Sequence, residues 1–593
     1  MTRLTVALPA ARRGQSFLGA PRRARRVAIG RSKAFLAFWI VIVLILVLPI
    51  AVFLAVAISP ALLDQGPAWL SVDAFARALT GPTLRGFLDS IVVAVIAAAV
   101  AAGVGFGLAW ILLRTDAPLR GLTTGLLFAL FLTPSYLIAL GWERLLEPNG
   151  VLQAVGFDPA GIRSVIYGPI GVALILAVKG IPFAYLTVSN ALRGLGREYD
   201  DAVRAHGGGP LRSIRMTVAM LAPAIWSALA IVFAESISDY GVAATLANSA
   251  HFPVATSELY NAVEAFPVDF PLASAISWLL LLLVVVALWL QNRALNGRSF
   301  QVFSGRARQP LIVRMRAGSI AIWLVAFVTL IATSLGVPVV GAVSASLIDG
   351  LGSISGSHAW NLHNYQRVLV SPELGGPLVY SAILATICAS AAVVLALMCA
   401  RVLATRGGSR LGRLLDTALL GAVALPGIVF AAGYIFAYNL PIVNALGIRI
   451  YGTSALLLLA YLATALPSTT RLLVGAMSQQ HDSMSQAARV HGAGSIGTWL
   501  RVSLPILARP LLSAWLLTYS ATLLELPVSQ LLAPPGSQPI SVGITVALNR
   551  YDYGGGTAME ILAILSALAI VAIAYGLFHL LAPRGWKRIG VAR

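Results

Sequence analysis

Glu235, Asp239, Glu525 and Lys179 all fall inside long apolar runs of this 593-residue chain. An ionised group at the centre of a bilayer costs about 2.5–3.5 kcal/mol on insertion scales, so such residues face protein or a water path. Glu235 and Asp239 are four apart and share a helix face, where two negative charges repel. Either one keeps a proton, or both share a cation or a basic partner. A set of this kind could line the route of a charged solute, and the three acids are the candidates for a translocation path at the interface between repeated halves. The structural alternative is that they hydrogen-bond free backbone beside Gly241 and Pro527, or lie near the outer boundary of a bent span. Lys179 is expected to snorkel toward the near interface.

Little else in the chain could do bond-making chemistry. His206 and His491 would each need several further ligands for a metal, so polar contact with a partner is the reading for both. Cys388 and Cys399 are the only cysteines. Eleven residues apart on a helix, they are about 16 Å from each other, beyond the reach of a disulfide, and read as two small core residues. No nucleophile–base set and no metal-spaced His/Asp/Glu cluster stands out, which sets a membrane enzyme aside.

The elements that hold these residues are membrane helices. Hydrophobic residues make up 58% of the chain and charged ones 11%, against about 25% charged in soluble domains, and the mean hydropathy is +0.86. The formal charge of +20 does not mark a nucleic-acid binder, because the basic residues flank apolar runs and are not interleaved with aromatics. Runs of about 20 apolar residues predict twelve spans: 34–58, 88–113, 122–142, 165–187, 217–247, 271–291, 318–346, 377–400, 414–438, 453–475, 503–533 and 557–581. The runs at 217–247 and 503–533 are long enough to be tilted or broken.

Lysine and arginine set the orientation. With the N-terminus inside, the inner segments carry Arg12, Arg13, Arg22, Arg23, Arg25, Arg26, Arg31 and Lys33, then Arg293, Arg298, Arg306, Arg308, Arg314 and Arg316, then Arg584, Lys587 and Arg588. Acidic residues such as Asp64, Asp73, Glu143, Glu147, Asp158 and Glu258 fall outside. Both termini are therefore expected in the cytoplasm. The expected organisation is a basic leader (1–33), a first transmembrane domain (34–291), a cytoplasmic linker (292–317), a second transmembrane domain (318–582) and a tail (583–593). Six spans per half make the halves a parallel repeat. Pro134 followed by Gly141-Trp142 is echoed by Pro426 followed by Gly433-Tyr434, and these prolines mark either pore-side breaks or packing kinks.

The clearest repeat is polar. Asp201-Ala202-Val203-Arg204-Ala205-His206-Gly207 is answered 285 residues later by Gln486-Ala487-Ala488-Arg489-Val490-His491-Gly492, with Pro182 and Pro467 upstream at one offset. Each copy lies in an inner loop between the fourth and fifth spans and predicts a short helix that stops at its glycine.

These residues resemble the EAA loop of binding-protein-dependent ABC importer permeases, whose pattern is Glu-Ala-Ala, three residues, Gly, nine residues, Ile-x-Leu-Pro. The second copy runs Gln486-Ala487-Ala488, Gly492, then Val502-Ser503-Leu504-Pro505. The first has no proline at 220, and Pro223 follows three residues later, so unequal coupling by the halves is expected. Further resemblance to the fused two-domain permeases of ferric-iron importers lies in Leu132-Thr133-Pro134-Ser135-Tyr136, Leu146-Glu147-Pro148-Asn149-Gly150, Glu235 through Gly241, Leu425-Pro426-Gly427-Ile428-Val429, Glu525-Leu526-Pro527 and Pro534-Pro535-Gly536.

The resemblance implies an all-α polytopic fold of the type I importer class in a bacterial inner membrane. It also implies an extracytoplasmic solute-binding protein, two copies of an ABC ATPase on the loops, and ferric iron as the solute. Related permeases carry thiamine, polyamines or phosphonates. The chain has no Gly-x-x-x-x-Gly-Lys-Ser/Thr loop, so ATP and magnesium belong to the partner ATPase and the chain itself needs no cofactor or metal. An ion-coupled secondary transporter is the reading from a different class. It would use the intramembrane acids for coupling and would not need the duplicated loops.

Overall fold

The computed structural model describes residues 33–63, 65–148, 151–154, 156–295, 312–349, 360–478, 480 and 482–581. Nearly all of the basic leader, the centre of the linker (296–311), Asn149-Gly150 and the tail lie outside the described residues. The chain divides into two compact units, Met1–Leu44 and Ile45–Arg593. In the first, the helix Lys33–Ile42 leaves Leu36 and Ile40 exposed. Everything below belongs to the second unit, save Val43 and Leu44 at the start of a turn that continues into it.

Among the described residues the secondary structure is helical, with only two isolated β-bridges, Thr115 to Val313 and Ile348 to Trp360. Lipid offers backbone groups no hydrogen bonds, so apolar runs satisfy them internally as helices. Ten helices among the described residues are long and apolar enough to cross a membrane. The remaining two expected spans are each broken. Arg120–Leu132 meets Ser135–Gln153 at 100°, and Arg410–Ala424 meets Gly427–Tyr438 at 109°, with Pro134 and Pro426 as the N-caps after the breaks. A helix of 12 to 15 residues is too short to span a hydrocarbon core of about 30 Å.

Each broken pair nevertheless crosses. The first starts where Arg120 donates to the Ala117 carbonyl, close in the chain to Arg114, which pairs with Asp200 of the first loop. It reaches Glu143, whose carbonyl accepts from Tyr167 just before the helix Pro169–Arg193. That helix then returns to the loop. In the second half Asp416 pairs with Arg471 near the loop end of Ser454–Ser478. Tyr434 donates to the Leu459 carbonyl near the other end of that helix. Counting each broken pair as one span gives twelve crossings among the described residues.

Small residues form the helix seams, as expected where lipid provides no hydrophobic drive between helices. Ala94, Ala97, Ala98, Ala101, Ala102 and Gly105 of Gly81–Arg114 are buried on the side that packs against Pro169–Arg193. Ala385, Cys388, Ala389, Ala392, Ala396 and Cys399 do the same in Pro372–Arg406 against Ser454–Ser478. The cysteines are free, fully buried seam residues.

The repeated Pro–Gly–aromatic pattern has a purpose that the sequence did not reveal. Gly141 lies so close to Pro338 that a Cβ would collide with the Pro338 backbone, and Gly433 lies against Pro49 and Ile50 with somewhat more room. Trp142 donates to the Thr333 carbonyl at 3.2 Å and Tyr434 to the Ile45 carbonyl at 2.6 Å. Those carbonyls belong to π-helical turns, Ala332–Gly336 and Val43–Val47, where the regular ladder is interrupted. The helix after each proline thus docks on the opening span of the other half.

Candidate coupling loops and translocation path

The two polar repeats fold alike at their ends. The helices Arg197–Ala205 and Asp482–Val490 are followed by Gly207 and Gly492 at φ 71° and 80°. The Gly207 N–H donates to Arg204 and the Gly208 N–H to Val203. In the second copy Gly492 donates to Arg489 and Ala493 to Ala488, with all four bonds at 2.8–3.0 Å. This is the Schellman arrangement, in which a left-handed residue lets the chain turn back onto the last carbonyls. Ala202, Arg204, Ala205 and His206 are exposed in the first copy, as are Gln486, Ala487, Arg489, Val490 and His491 in the second. Val490 is 84% exposed, an unusual position for valine on a bare helix.

Their anchoring differs. Asp201 makes only a half-exposed pair with Arg197 at 3.4 Å. Its neighbour Asp200, which the sequence reading passed over, pairs with buried Arg114 at 3.0 Å and accepts from Ser213. Arg114 also donates to the Leu195 carbonyl at 2.8 Å. Ser485 occupies the matching place in the second copy, and no ion pair holds that loop among the described residues. Beyond the glycines the paths also separate. Pro210 opens one continuous helix to Ser238 with Pro223 inside it. In the second half a short helix and a π-helical turn, Trp499–Ser503, precede Leu504–Leu523 and its buried Pro505.

Only Glu235 of the three acids lies within a continuous span. Asp239 follows the end of Pro210–Ser238 and Glu525 follows the end of Leu504–Leu523, so the two long runs are broken. Asp239 accepts from the Val242 N–H at 2.8 Å. Glu525 accepts from the N–H groups of Val528 (2.9 Å) and Ser529 (3.1 Å). Each carboxylate therefore satisfies the free N–H groups of the segment after its break, as the structural alternative expected.

Lys179 does not snorkel. Its Nζ donates to the carbonyls of Thr133 (2.7 Å), Phe131 (2.9 Å) and Leu130 (3.4 Å), at the end of the helix before Pro134. There it complements the helix C-terminus, within electrostatic range of Glu235 and Asp239. The second half has Thr464 at the corresponding position.

Two cavities flank the breaks. One, of about 690 Å³, is bordered by Phe131 and Leu132 of the first half and by Gly427, Tyr461, Arg471 and Glu525 of the second. Asp239 lines only a cleft of about 10 Å³. The other cavity, of about 330 Å³, also takes walls from both halves, including Glu143, Arg144, Glu147, Tyr240, Gln530 and Tyr553. Tyr240 lies past the end of the 29-residue helix that begins at the first loop, which puts this cavity about 40 Å of helix rise from the loops. The sequence reading placed Glu143 and Glu147 outside without giving them a role.

Known proteins agree with this architecture. The family of binding-protein-dependent transport system inner membrane components matches residues 101–296 and again 392–587. The sulfate transport system permease CysT of Salmonella typhimurium is 30% identical over 207 residues, 34% of this chain and 73% of that protein. The ferric transport system permease FbpB of Actinobacillus pleuropneumoniae is 21% identical over 482 residues, 79% of this chain and 67% of that protein. The putative ferric transport system permease FbpB 1 of Haemophilus influenzae is 22% identical over 430 residues, 69% of this chain and 64% of that protein. With the family domain present twice, on a twelve-crossing frame that carries paired glycine-capped loops, the chain belongs to the inner membrane permeases of binding-protein-dependent ABC importers, in their fused two-domain form.

Proposed function

We propose that the solute is ferric iron, passed to this permease by an extracytoplasmic binding protein. The observation that carries this reading is the reach of the ferric permease resemblance, which runs through both halves of one chain. The sulfate permease resemblance covers 34% to 43% of it. The chemistry of the far cavity supports the same choice, since Glu143 and Glu147 both border it and Arg144 is paired to each of them. A sulfate ion would meet those carboxylates, and like charges in a confined site are strongly unfavourable.

In this reading the loops 197–208 and 482–493 face the cytoplasm with both termini, and one ATPase subunit docks on each. ATP and magnesium stay in those subunits, and this chain converts their closure into movement of its halves. The exposed Val490, with no ion pair holding the second loop among the described residues, leaves that loop freer to follow its ATPase, so the two halves couple unequally. Solute enters the far cavity, passes the helix breaks capped by Asp239 and Glu525, and leaves through the larger cavity near Arg471. Glu235 and Lys179 tune the charge at the first break.

The test is uptake of radioactive ferric iron and of radioactive sulfate by cells that carry the chain with its binding protein and ATPase. Loss of iron uptake on deletion, with sulfate uptake intact, is the expected result. The reverse pattern would assign the chain to sulfate.

A further inference from the structure

We propose that the cavity between Glu143, Glu147 and Tyr553 is a transit site for a multivalent hard cation, held by the two carboxylates and the tyrosine hydroxyl, with Arg144 as its built-in competitor. This deepens the ferric-iron reading and depends on it only for the identity of the cargo.

The charged groups here are buried and incompletely paired. Glu143 and Arg144 are 2% and 5% exposed. The Glu143 Oε1 atom and the Arg144 Nε and Nη1 atoms have no hydrogen-bond partner. Buried polar atoms are almost always satisfied in folded proteins, and an exception calls for an explanation such as an absent ion. Arg144 Nη2 lies 2.9 Å from Glu147 Oε2 and 3.5 Å from Glu143 Oε2, and its guanidinium sits 4.3 Å over the Tyr553 ring. Tyr553, from the other half, donates to Glu147 Oε1 at 3.1 Å. Glu560 is also buried and interacts with the same guanidinium. Three carboxyl groups thus lie around one guanidinium, an oxygen-rich set that suits a hard cation better than an anion.

The ligand set also fits passage better than storage. Carboxylate and phenolic oxygens suit hard cations. No group of three or more His, Cys, Asp or Glu side chains is placed to hold a metal among the described residues. Conduction needs binding that is favourable enough to enter yet weak enough to leave. Two carboxylates opposed by an arginine meet that condition. The space suffices for a hydrated ion, since six waters occupy about 180 Å³ at roughly 30 Å³ each, against a cavity of about 330 Å³. Because walls from both halves close the site, movement between the halves would open and shut it.

The experiment titrates terbium(III) into the purified full-length chain in lipid nanodiscs and reads tyrosine-sensitised luminescence, which Tyr240, Tyr260 and Tyr553 at this cavity can supply. Saturable binding is expected, weakened about tenfold or more in Glu143→Gln/Glu147→Gln and strengthened several-fold in Arg144→Gln, as expected for removed attraction and removed competition. Glu373→Gln, at a different surface cleft, should bind as the unaltered chain does. The opposite signs guard against mere misfolding, which would weaken binding in every cavity variant. No terbium binding, unchanged binding in the double variant, or displacement of terbium by competing sulfate would each overturn the site. Absence of ferric uptake in cells, alongside terbium binding that behaves as described, would instead remove iron as cargo and leave the cation site standing.

Discussion

Asp200 and Arg114 meet at 3.0 Å with 14% and 5% of their side chains exposed. Removing one partner of a buried ion pair costs about 3–5 kcal/mol, because the other charge is left uncompensated. Asp200→Asn should therefore lower the thermal midpoint of the full chain, while Gln486→Ala at an exposed position in the other loop leaves it nearly unchanged. Equal effects in a melting experiment would refute the unequal anchoring of the loops. Lys179 gives a second residue-scale prediction. Lys179→Met strands the carbonyls at the first break and removes the positive charge near Glu235 and Asp239, at about 1–3 kcal/mol for buried groups left unsatisfied. Adding Glu235→Gln should recover part of that loss, and strict additivity in a double-mutant cycle would show that the two residues are not coupled. The sequence singled out Lys179 and the three acids correctly as costly charges. It could not supply their partners: the carbonyls that hold Lys179 lie 46 to 49 residues away and are free only because the helix breaks at Pro134.

Broken helices and π-helical turns carry the architecture at the next scale. The helix after each proline is too short to span alone, and its glycine and aromatic residue fasten it to the opening span of the other half. Gly141 is packed against Pro338 more tightly than Gly433 is against Pro49. Overpacking a close contact costs about 1–3 kcal/mol, so Gly141→Ala should destabilise the chain more than Gly433→Ala in a thermal-shift assay. Equal or reversed losses would contradict the packing described. The sequence displayed the Pro–Gly–aromatic repeat at constant spacing, and it showed the long runs at 217–247 and 503–533 as candidates for breaks. What it left open was whether the prolines were kinks or breaks. That choice depends on who receives the freed carbonyls, and the receivers are on other elements. The two loop helices were more legible, because a glycine C-terminus is a local hydrogen-bond pattern written within seven residues.

For the whole molecule, sidedness is the property most open to a direct test. Both native cysteines are fully buried, so single cysteines introduced elsewhere report cleanly. Tyr551 and Val490 are 75% and 84% exposed. Tyr551→Cys should react with a membrane-impermeant maleimide in intact cells, and Val490→Cys only in inverted vesicles. Labelling of both from one side would overturn the orientation proposed. Composition, charge placement and the 285-residue repeat were enough to determine an all-α membrane protein, its tandem duplication and its two glycine-ended polar loops, because each is a property of local sequence or of sequence compared with itself. Only the tertiary structure decided the exchange of opening spans between halves, the carbonyl cradle of Lys179 and the far cavity where Tyr553 meets Glu147 across 406 residues. The reason is physical. In a bilayer a face that meets lipid and a face that meets another helix are both apolar, so the hydrophobic pattern that tells a chain where its membrane lies cannot tell it which distant helix it will touch.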